Sequence, residues 1–362
     1  MRIGILGGGQ LARMLTLAGY SMGIHTLCID PTKDVCAADV TKVIHANYGD
    51  QTQLKAFADQ VDVITFETEN IPLETAEFVS QLKPFYPSIS ALKICQDRLL
   101  EKNLFKELNI PTPQFAAINS LAELEQAVAQ IKLPAVLKTR RFGYDGKGQA
   151  VLKQVSDLAS AWEMLGGQAL ILEQFMRFDL ELSLIAVREK NGNVQFYPLV
   201  ENQHQHGILR LSMAPFADKT LQQLAEHYVQ TILTKLNYVG TFVIELFQIG
   251  QQLFANEMAP RVHNSGHWTI EGASTSQFAN HLRAISGLPL GSTAVQEYNA
   301  MFNIIGEEPD MQKILNIPAA HYHTYEKQAK PNRKLGHITI TASDKIIYQQ
   351  GLQQLKRLLD LN

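Results

Sequence analysis

Two glutamates twelve residues apart, Glu245 and Glu257, lie in apolar runs: Val243-Ile244-Glu245-Leu246-Phe247 and Phe254-Ala255-Asn256-Glu257-Met258. A carboxylate in a buried strand is costly unless it is paired or bound to a metal. A tight turn at Gly250 lets the predicted strands 240–248 and 251–256 pair, which brings the two carboxylates side by side. Magnesium favours a few carboxylates beside nucleotide phosphates. The alternative is a buried salt bridge from each glutamate to a separate base. The loop that follows Glu257 is rich in polar groups. Arg261 can clamp a small oxyanion bidentately, and His263, Asn264 and Ser265 add directed donors.

A second set of residues suits a polyphosphate. Lys138 ends a predicted strand, 135–138, and is followed by Gly143-Tyr144-Asp145-Gly146-Lys147-Gly148-Gln149. Backbone N–H groups of such a loop can wrap phosphates while lysine supplies a point charge. An edge segment, Glu173-Gln174-Phe175-Met176, can offer backbone polar groups to an adenine, and Glu181 can accept from ribose hydroxyls. At the start of the chain, Gly7-Gly8-Gly9-Gln10-Leu11-Ala12 joins a strand to a helix, and Asp30 ends the next strand. That spacing satisfies a dinucleotide fingerprint, so a nicotinamide or flavin enzyme is a rival reading. Phosphate monoester and dinucleotide both fit a helix N-terminus.

These residues need elements to position them. Strand and helix patterns alternate over the first hundred residues, which predicts a parallel, doubly wound sheet. Predicted strands are 2–7, 24–30, 43–46 and 61–66. Pro84 and Pro87 break the pattern, and helices follow over 89–108. Paired strands are expected at 179–187 and 194–200 around Asn191-Gly192, and a long helix at 221–236. A small β-rich unit closes the chain, with strands at 321–325 and 337–341 and a helix at 346–359. The 362 residues are 46% apolar and 19% charged, with a net charge of −3, which suits a soluble protein with a large core and no nucleic-acid partner. The N-terminus reads as a strand and not a signal peptide, and no run is apolar enough to cross a membrane. Cys28, Cys36 and Cys95 lack metal-ligand spacing and read as thiols of a reducing cytoplasm.

Taken in order, the motifs resemble the ATP-grasp superfamily, and within it the biotin-independent N5-carboxyaminoimidazole ribonucleotide synthetases. The resemblance runs from GGGQLARM through Phe66-Glu67-Thr68-Glu69-Asn70-Ile71, Gln96-Asp97-Arg98 and GYDGKGQ to NEMAPRVHNSGHWT. It ends with Tyr325-Glu326-Lys327 and Pro331-Asn332-Arg333-Lys334-Leu335-Gly336-His337. It implies three domains: a doubly wound one over 1–95, a two-lobed ATP-grasp domain over 96–290 and a small β-rich one over 291–362. ATP and Mg2+ are the implied cofactors. Arg98 and Lys138 would contact ATP, the loop Gly143, Tyr144, Asp145, Gly146, Lys147, Gly148 and Gln149 would cover it, and Glu173, Gln174, Phe175 and Met176 would flank the adenine. Glu181 would meet the ribose, with His204 at a nucleotide-contacting position, and Glu245 and Glu257 would hold magnesium beside Asn256.

The family substrate is 5-aminoimidazole ribonucleotide. Its phosphate would meet Gly9, Gln10, Leu11, Arg333 and Lys334, and its imidazole and ribose Glu67, Tyr144, Asp145 and Lys147. The implied reaction phosphorylates bicarbonate to carboxyphosphate, with Arg261, His263 and Lys327 holding the anion and Asn264 and Ser265 beside them. A homodimer in the cytoplasm is expected. Phe142, where a small residue is usual, and Lys330-Pro331-Asn332-Arg333 depart from the family pattern. The rival readings are a formate-dependent glycinamide ribonucleotide transformylase or another ATP-grasp ligase, a dinucleotide-dependent oxidoreductase and a silent nucleotide-binding protein.

Overall fold

The structure is a computed structural model, and it describes residues 1–143 and 146–361. Among these residues the strands form three sheets. The first holds β1 (Arg2–Leu6), β2 (His25–Asp30), β3 (Lys42–His45) and β4 (Val63–Phe66), all parallel in the order β3-β2-β1-β4. Ile3, Ile5 and Leu6 are all buried, as expected where helices cover both faces of a parallel sheet. The helix Gln10–Tyr20 starts directly after the glycine turn, so its N-terminus stands at the carboxyl ends of β1 and β4.

The predicted helical stretch over 89–108 is two helices, Ile89–Cys95 and Arg98–Glu107. Asp97 caps the second by accepting from Leu99 N–H, and that break fixes where Arg98 begins. A four-stranded antiparallel sheet follows, β5 (Phe115–Ile118), β6 (Ala135–Thr139), β7 (Gln149–Leu152) and β8 (Leu170–Gln174), in the order β5-β8-β6-β7. Because β5 pairs with β8, the segment expected to be an edge is interior, and Phe175 N–H already donates to Pro134 O.

The third sheet has nine strands. They are β9 (Leu180–Arg188), β10 (Val194–Phe196), β11 (Val200–Gln205), β12 (Ile208–Ala214), β13 (Gly240–Ile249), β14 (Gln252–Ala259), β15 (Tyr298–Ile305), β16 (Ala320–Thr324) and β17 (Lys334–Ala342). Their order is β14-β13-β9-β11-β12-β15-β17-β16, with β10 on β9. The expected hairpin forms with Val194 opposite Arg188. The helix Lys219–Lys235 buries Leu221, Val229, Ile232 and Leu233 in the core it shares with β9, β13 and β14. The C-terminal strands continue the same sheet through β12 and β15, so residues on both sides of position 290 share one hydrogen-bonded layer.

Candidate active site

Across the β13–β14 hairpin, Glu245 stands directly opposite Glu257, with a bulge just after Glu245. Gly250 makes the turn with φ +55°, a conformation that favours glycine. Burial, and then the Glu257 charge, push the Glu245 carboxyl above its usual range. Glu257 is held below its usual range against its burial by Arg98, whose Nη1 donates to Glu257 Oε2 at 2.8 Å. His263 Nε2 lies 3.3 Å from Glu245 Oε1. Asn256 Oδ1 is buried and has no hydrogen-bond partner among the described residues. Two facing carboxylates and an unpartnered amide oxygen are hard donors that fit magnesium.

A cleft of about 640 Å³ collects most of the residues named from the sequence. Arg98, Lys138, Glu181, His204, Glu245 and Glu257 line it together with Arg261, His263 and Asn264. Glu67, Gln10, Leu11 and Lys334 line it from the N-terminal and C-terminal sides, and Gly143, Gly146, Lys147 and Gln149 from the glycine loop. Gln174, Phe175, Met176 and Asn256 belong to its wall. Gly9, Gly148, Ser265, Lys327 and Arg333 do not. Tyr144 and Asp145 lie outside the described residues. Phe142 is 71% exposed at the base of the loop, with φ +61°.

Several named side chains are engaged by partners that the sequence does not reveal. Lys138 Nζ donates to Glu173 Oε2 at 3.0 Å, and the buried Lys102 lies 3.5 Å from the same oxygen. Burial would raise Glu173, yet Lys102 and Lys138 draw it down to about 2. Glu173, which the resemblance places beside an adenine, thus anchors the cleft-lining Lys138 from a buried position. His204 Nδ1 lies 2.7 Å from Glu181 Oε2, and a bulge between Gln203 and His204 aims that ring. Phe178 and Phe247 stack with centroids 4.6 Å apart in the same wall.

Arg261 donates from Nε and Nη2 to both oxygens of Glu69, at 2.5 and 2.9 Å. Its Nη1 reaches Val262 O, which leaves part of the fork for a ligand. Burial, and then the nearby Arg261 charge, lower the His263 imidazole to about 3, so it is neutral at pH 7. Asn264 exchanges two hydrogen bonds with Asn303, at 2.9 and 2.7 Å. Arg140, which the sequence reading passed over, lines the cleft and forks onto Asp97 at 2.9 and 2.6 Å.

The glycine turn at the N-terminus is occupied by the protein itself. Gly9 N–H donates to Glu67 Oε1 at 2.7 Å, and Leu11 and Ala12 donate to Oε2. Gly8 N–H donates to Asp30 at 2.8 Å. The carboxylates therefore fill the anion site of this helix, and Asp30 is spent on the turn where a dinucleotide ribose would need it. Lys327 donates to Gln10 Oε1 and stands 5.6 Å from the Tyr325 ring. Arg333 reaches back to Gln328 O at 3.1 Å. The fingerprint alone could not show that Glu67, 58 residues on, closes it.

Comparison with known proteins follows the same lines. Residues 1–96 match the ribonucleotide synthetase preATP-grasp domain, 103–278 the ATP-grasp domain and 299–350 the phosphoribosylaminoimidazole carboxylase C-terminal domain. An N5-carboxyaminoimidazole ribonucleotide synthase of Pseudomonas aeruginosa is 50% identical over 360 residues, covering 99% of this chain and 100% of that protein. The chain belongs to the N5-carboxyaminoimidazole ribonucleotide synthase family. It is a ligase of the ATP-grasp type. The crystal structure of the Thermus thermophilus synthetase superposes with a TM-score of 0.95 at 48% identity, covering 99% of this chain and 98% of that one. A synthase of this family from Aspergillus clavatus, solved with ADP and 5-aminoimidazole ribonucleotide, superposes with a TM-score of 0.91 at 30% identity over 99% and 98% of the two chains.

Proposed function

We propose that this chain carboxylates 5-aminoimidazole ribonucleotide with bicarbonate at the expense of ATP, giving N5-carboxyaminoimidazole ribonucleotide, ADP and phosphate for purine biosynthesis. The observation that carries the reading is one cleft shared by Lys138, the Glu245–Glu257 pair and the Arg261–Asn264 loop. Its family relatives include one solved with both a nucleotide and this ribonucleotide.

Bicarbonate is a poor electrophile, and phosphorylation supplies it with a leaving group. Lys138, held by Glu173, and Arg98 bind the nucleotide phosphates and offset charge that spreads during transfer. Glu245, Glu257 and Asn256 would hold magnesium, which when bound neutralises phosphate charge. Arg261 and the His263 N–H face the small anion, and Glu69 fixes the guanidinium plane. Phe175, Met176, Phe178 and Phe247 supply an apolar wall for the adenine, and Glu181 with His204 meets the ribose. Gln10, Glu67, Lys327, Arg333 and Lys334 would meet the ribonucleotide, with Tyr144, Asp145 and Lys147 as further candidates from the loop sequence. We assign residues 1–95, 96–290 and 291–362 to three domains, and a cytoplasmic homodimer to the working enzyme. Among the described residues, no helix is long and apolar enough to cross a membrane.

The test is ADP release by the purified protein with ATP, magnesium and bicarbonate, with and without 5-aminoimidazole ribonucleotide. ADP formation rises with the ribonucleotide, and label from bicarbonate enters an acid-labile product. ADP formed only with formate and glycinamide ribonucleotide would make the substrate assignment wrong and keep the fold.

A further inference from the structure

Behind the cleft runs a chain of small polar side chains that the mechanism above does not use. Ser212 on β12 donates from Oγ to Asn202 Oδ1 at 2.8 Å. Asn202 on β11 donates from Nδ2 to Ser183 Oγ at 2.9 Å. Ser183 on β9 donates to Ser265 Oγ, also at 2.9 Å. Ser265 Oγ lies 2.9 Å from His263 Nδ1. Ser183, Ser212 and Ser265 are fully buried, and Asn202 is 5% exposed. The sheet builds this line, for Asn202 stands opposite Ser212 in one register and Ser183 opposite Glu245 in another.

The direction of the chain decides the imidazole's state. Ser265 Oγ accepts the hydrogen bond of the Ser183 hydroxyl, so its own O–H is free to donate to His263 Nδ1. The backbone N–H of Ser265 also points at Nδ1, at 3.3 Å, in a cap on the short turn Asn264–Gly266. Two donors converge on one ring nitrogen, so that nitrogen must be an acceptor. The proton of the neutral ring then sits on Nε2, the atom that faces Glu245.

We propose that Ser265, Ser183 and Asn202 are positioning residues that lock His263 in the Nε2–H tautomer, so that its one N–H, shared between Glu245 and the small anion beside it, acts as a hydrogen-bond donor and not as the reaction's base. The proposal rests on the carboxylation reading, and it gives Ser265 a role behind the cleft in place of substrate contact. Bicarbonate and its phosphorylated form both present oxygen lone pairs, and a fixed N–H can hold either without changing protonation. Burying three hydroxyls and an amide in a sheet is tolerated because each is paired along the chain.

The test uses the full-length protein with 15N-labelled histidine. Two-bond proton–nitrogen correlation spectra report which ring nitrogen carries hydrogen, and the His263→Gln protein identifies the resonance. Wild type shows His263 protonated at Nε2 alone. In Ser265→Ala this gives way to a mixture of tautomers, and kcat for carboxylation falls by about 10- to 100-fold while the KM for ATP stays within about twofold. His263→Gln, which keeps a donor in place, retains far more activity than His263→Leu. Ser183→Ala, one link farther out, shows the same changes to a smaller degree and serves if Ser265→Ala does not fold. An Nδ1–H ring in wild type, unchanged kcat and tautomer in both serine variants, or equal loss in the Gln and Leu proteins overturns the proposal. A locked ring in a protein that carboxylates nothing would leave the tautomer assignment standing and remove the functional reading beneath it.

Discussion

Glu173 joins the site to its stability. The carboxyl is almost fully buried, and two lysines draw it to about 2 from an ordinary value near 4.5. A depressed folded-state value means the stabilisation is fully present above about pH 4.5 and is lost as pH falls through about 2. A shift of this size is worth roughly 3 kcal/mol. Glu173→Gln should therefore lower stability at pH 7 by a few kcal/mol and flatten the acid limb of the stability curve between pH 4.5 and 2, read by urea unfolding at several pH values. An unchanged acid limb would mean the lysines do not hold this carboxylate. Lys327 argues differently, because burial lowers its pKa while Cys36 and Glu67 oppose that, and its contact is Gln10 at the start of the first helix. Lys327→Met should cut carboxylated product per ADP formed more than it raises the KM for ATP; equal product per ADP would remove it from the anion site. Residue types and local spacing sufficed to pick out Lys138, Glu245, Glu257 and Arg261. They could not reveal Glu69 with Arg261, 192 residues apart, or Arg98 with Glu257, 159 apart, because only folding makes those pairs neighbours.

At the scale of elements, the glycine turn and the β13–β14 hairpin carry the argument. A Cβ on Gly9 would lie 2.5 Å from Glu67 Oε1, so the turn can close on its internal carboxylate only with glycine there. Gly9→Ala should displace Glu67 and destabilise the protein by about 1–3 kcal/mol, measured as a lowered Tm. A wild-type Tm would show that Glu67 moves aside at no cost. The hairpin register places Glu257 opposite Glu245, and Glu257→Gln removes one of two facing carboxylates without changing the side chain's shape. Turnover should be abolished with the circular dichroism spectrum intact, and activity retained at normal magnesium dependence would sink the metal assignment. The hairpin was legible because an apolar pattern and a turn glycine bracket it. Strands β11, β12 and β15 escaped the sequence reading for a physical reason. Their inward positions hold Asn202, Ser212, Asn299 and Asn303, all buried, so the alternation of apolar and polar residues that marks a strand is broken by groups paired inside: Ser212 with Asn202, Asn299 with Thr341 and Asn303 with Asn264. Strand β5 escaped too, which is why its partner β8 looked like an edge.

On the scale of the whole molecule, the large sheet does not stop where the sequence suggests a new domain. Leu211 pairs with Phe302 and Ala214 with Asn299, so β12 is an interior strand only while β15 is present. Leu211, Phe302, Ile304 and Ile338 share one buried core. The Asn264–Asn303 pair and the Tyr325 hydroxyl, 3.0 Å from His267 Nδ1, tie the loop after β14 to the C-terminal part of the chain. A chain ending at residue 290 would therefore lose more than a peripheral unit. It would uncover the β12 edge with Leu211 turned toward solvent, a loss of roughly 1.5–3 kcal/mol for that side chain alone against a typical total of about 5–15. It would also leave an unpaired strand able to join another molecule. The expected outcome is a truncated protein that aggregates on expression and shows no cooperative melt, while the full chain melts with residues 291–362 in the same transition. A soluble, monomeric 1–290 protein that unfolds cooperatively and releases ADP from ATP would mean that the shared sheet is dispensable. In that case the C-terminal strands contribute only Lys334 to the cleft and nothing to the fold that holds it.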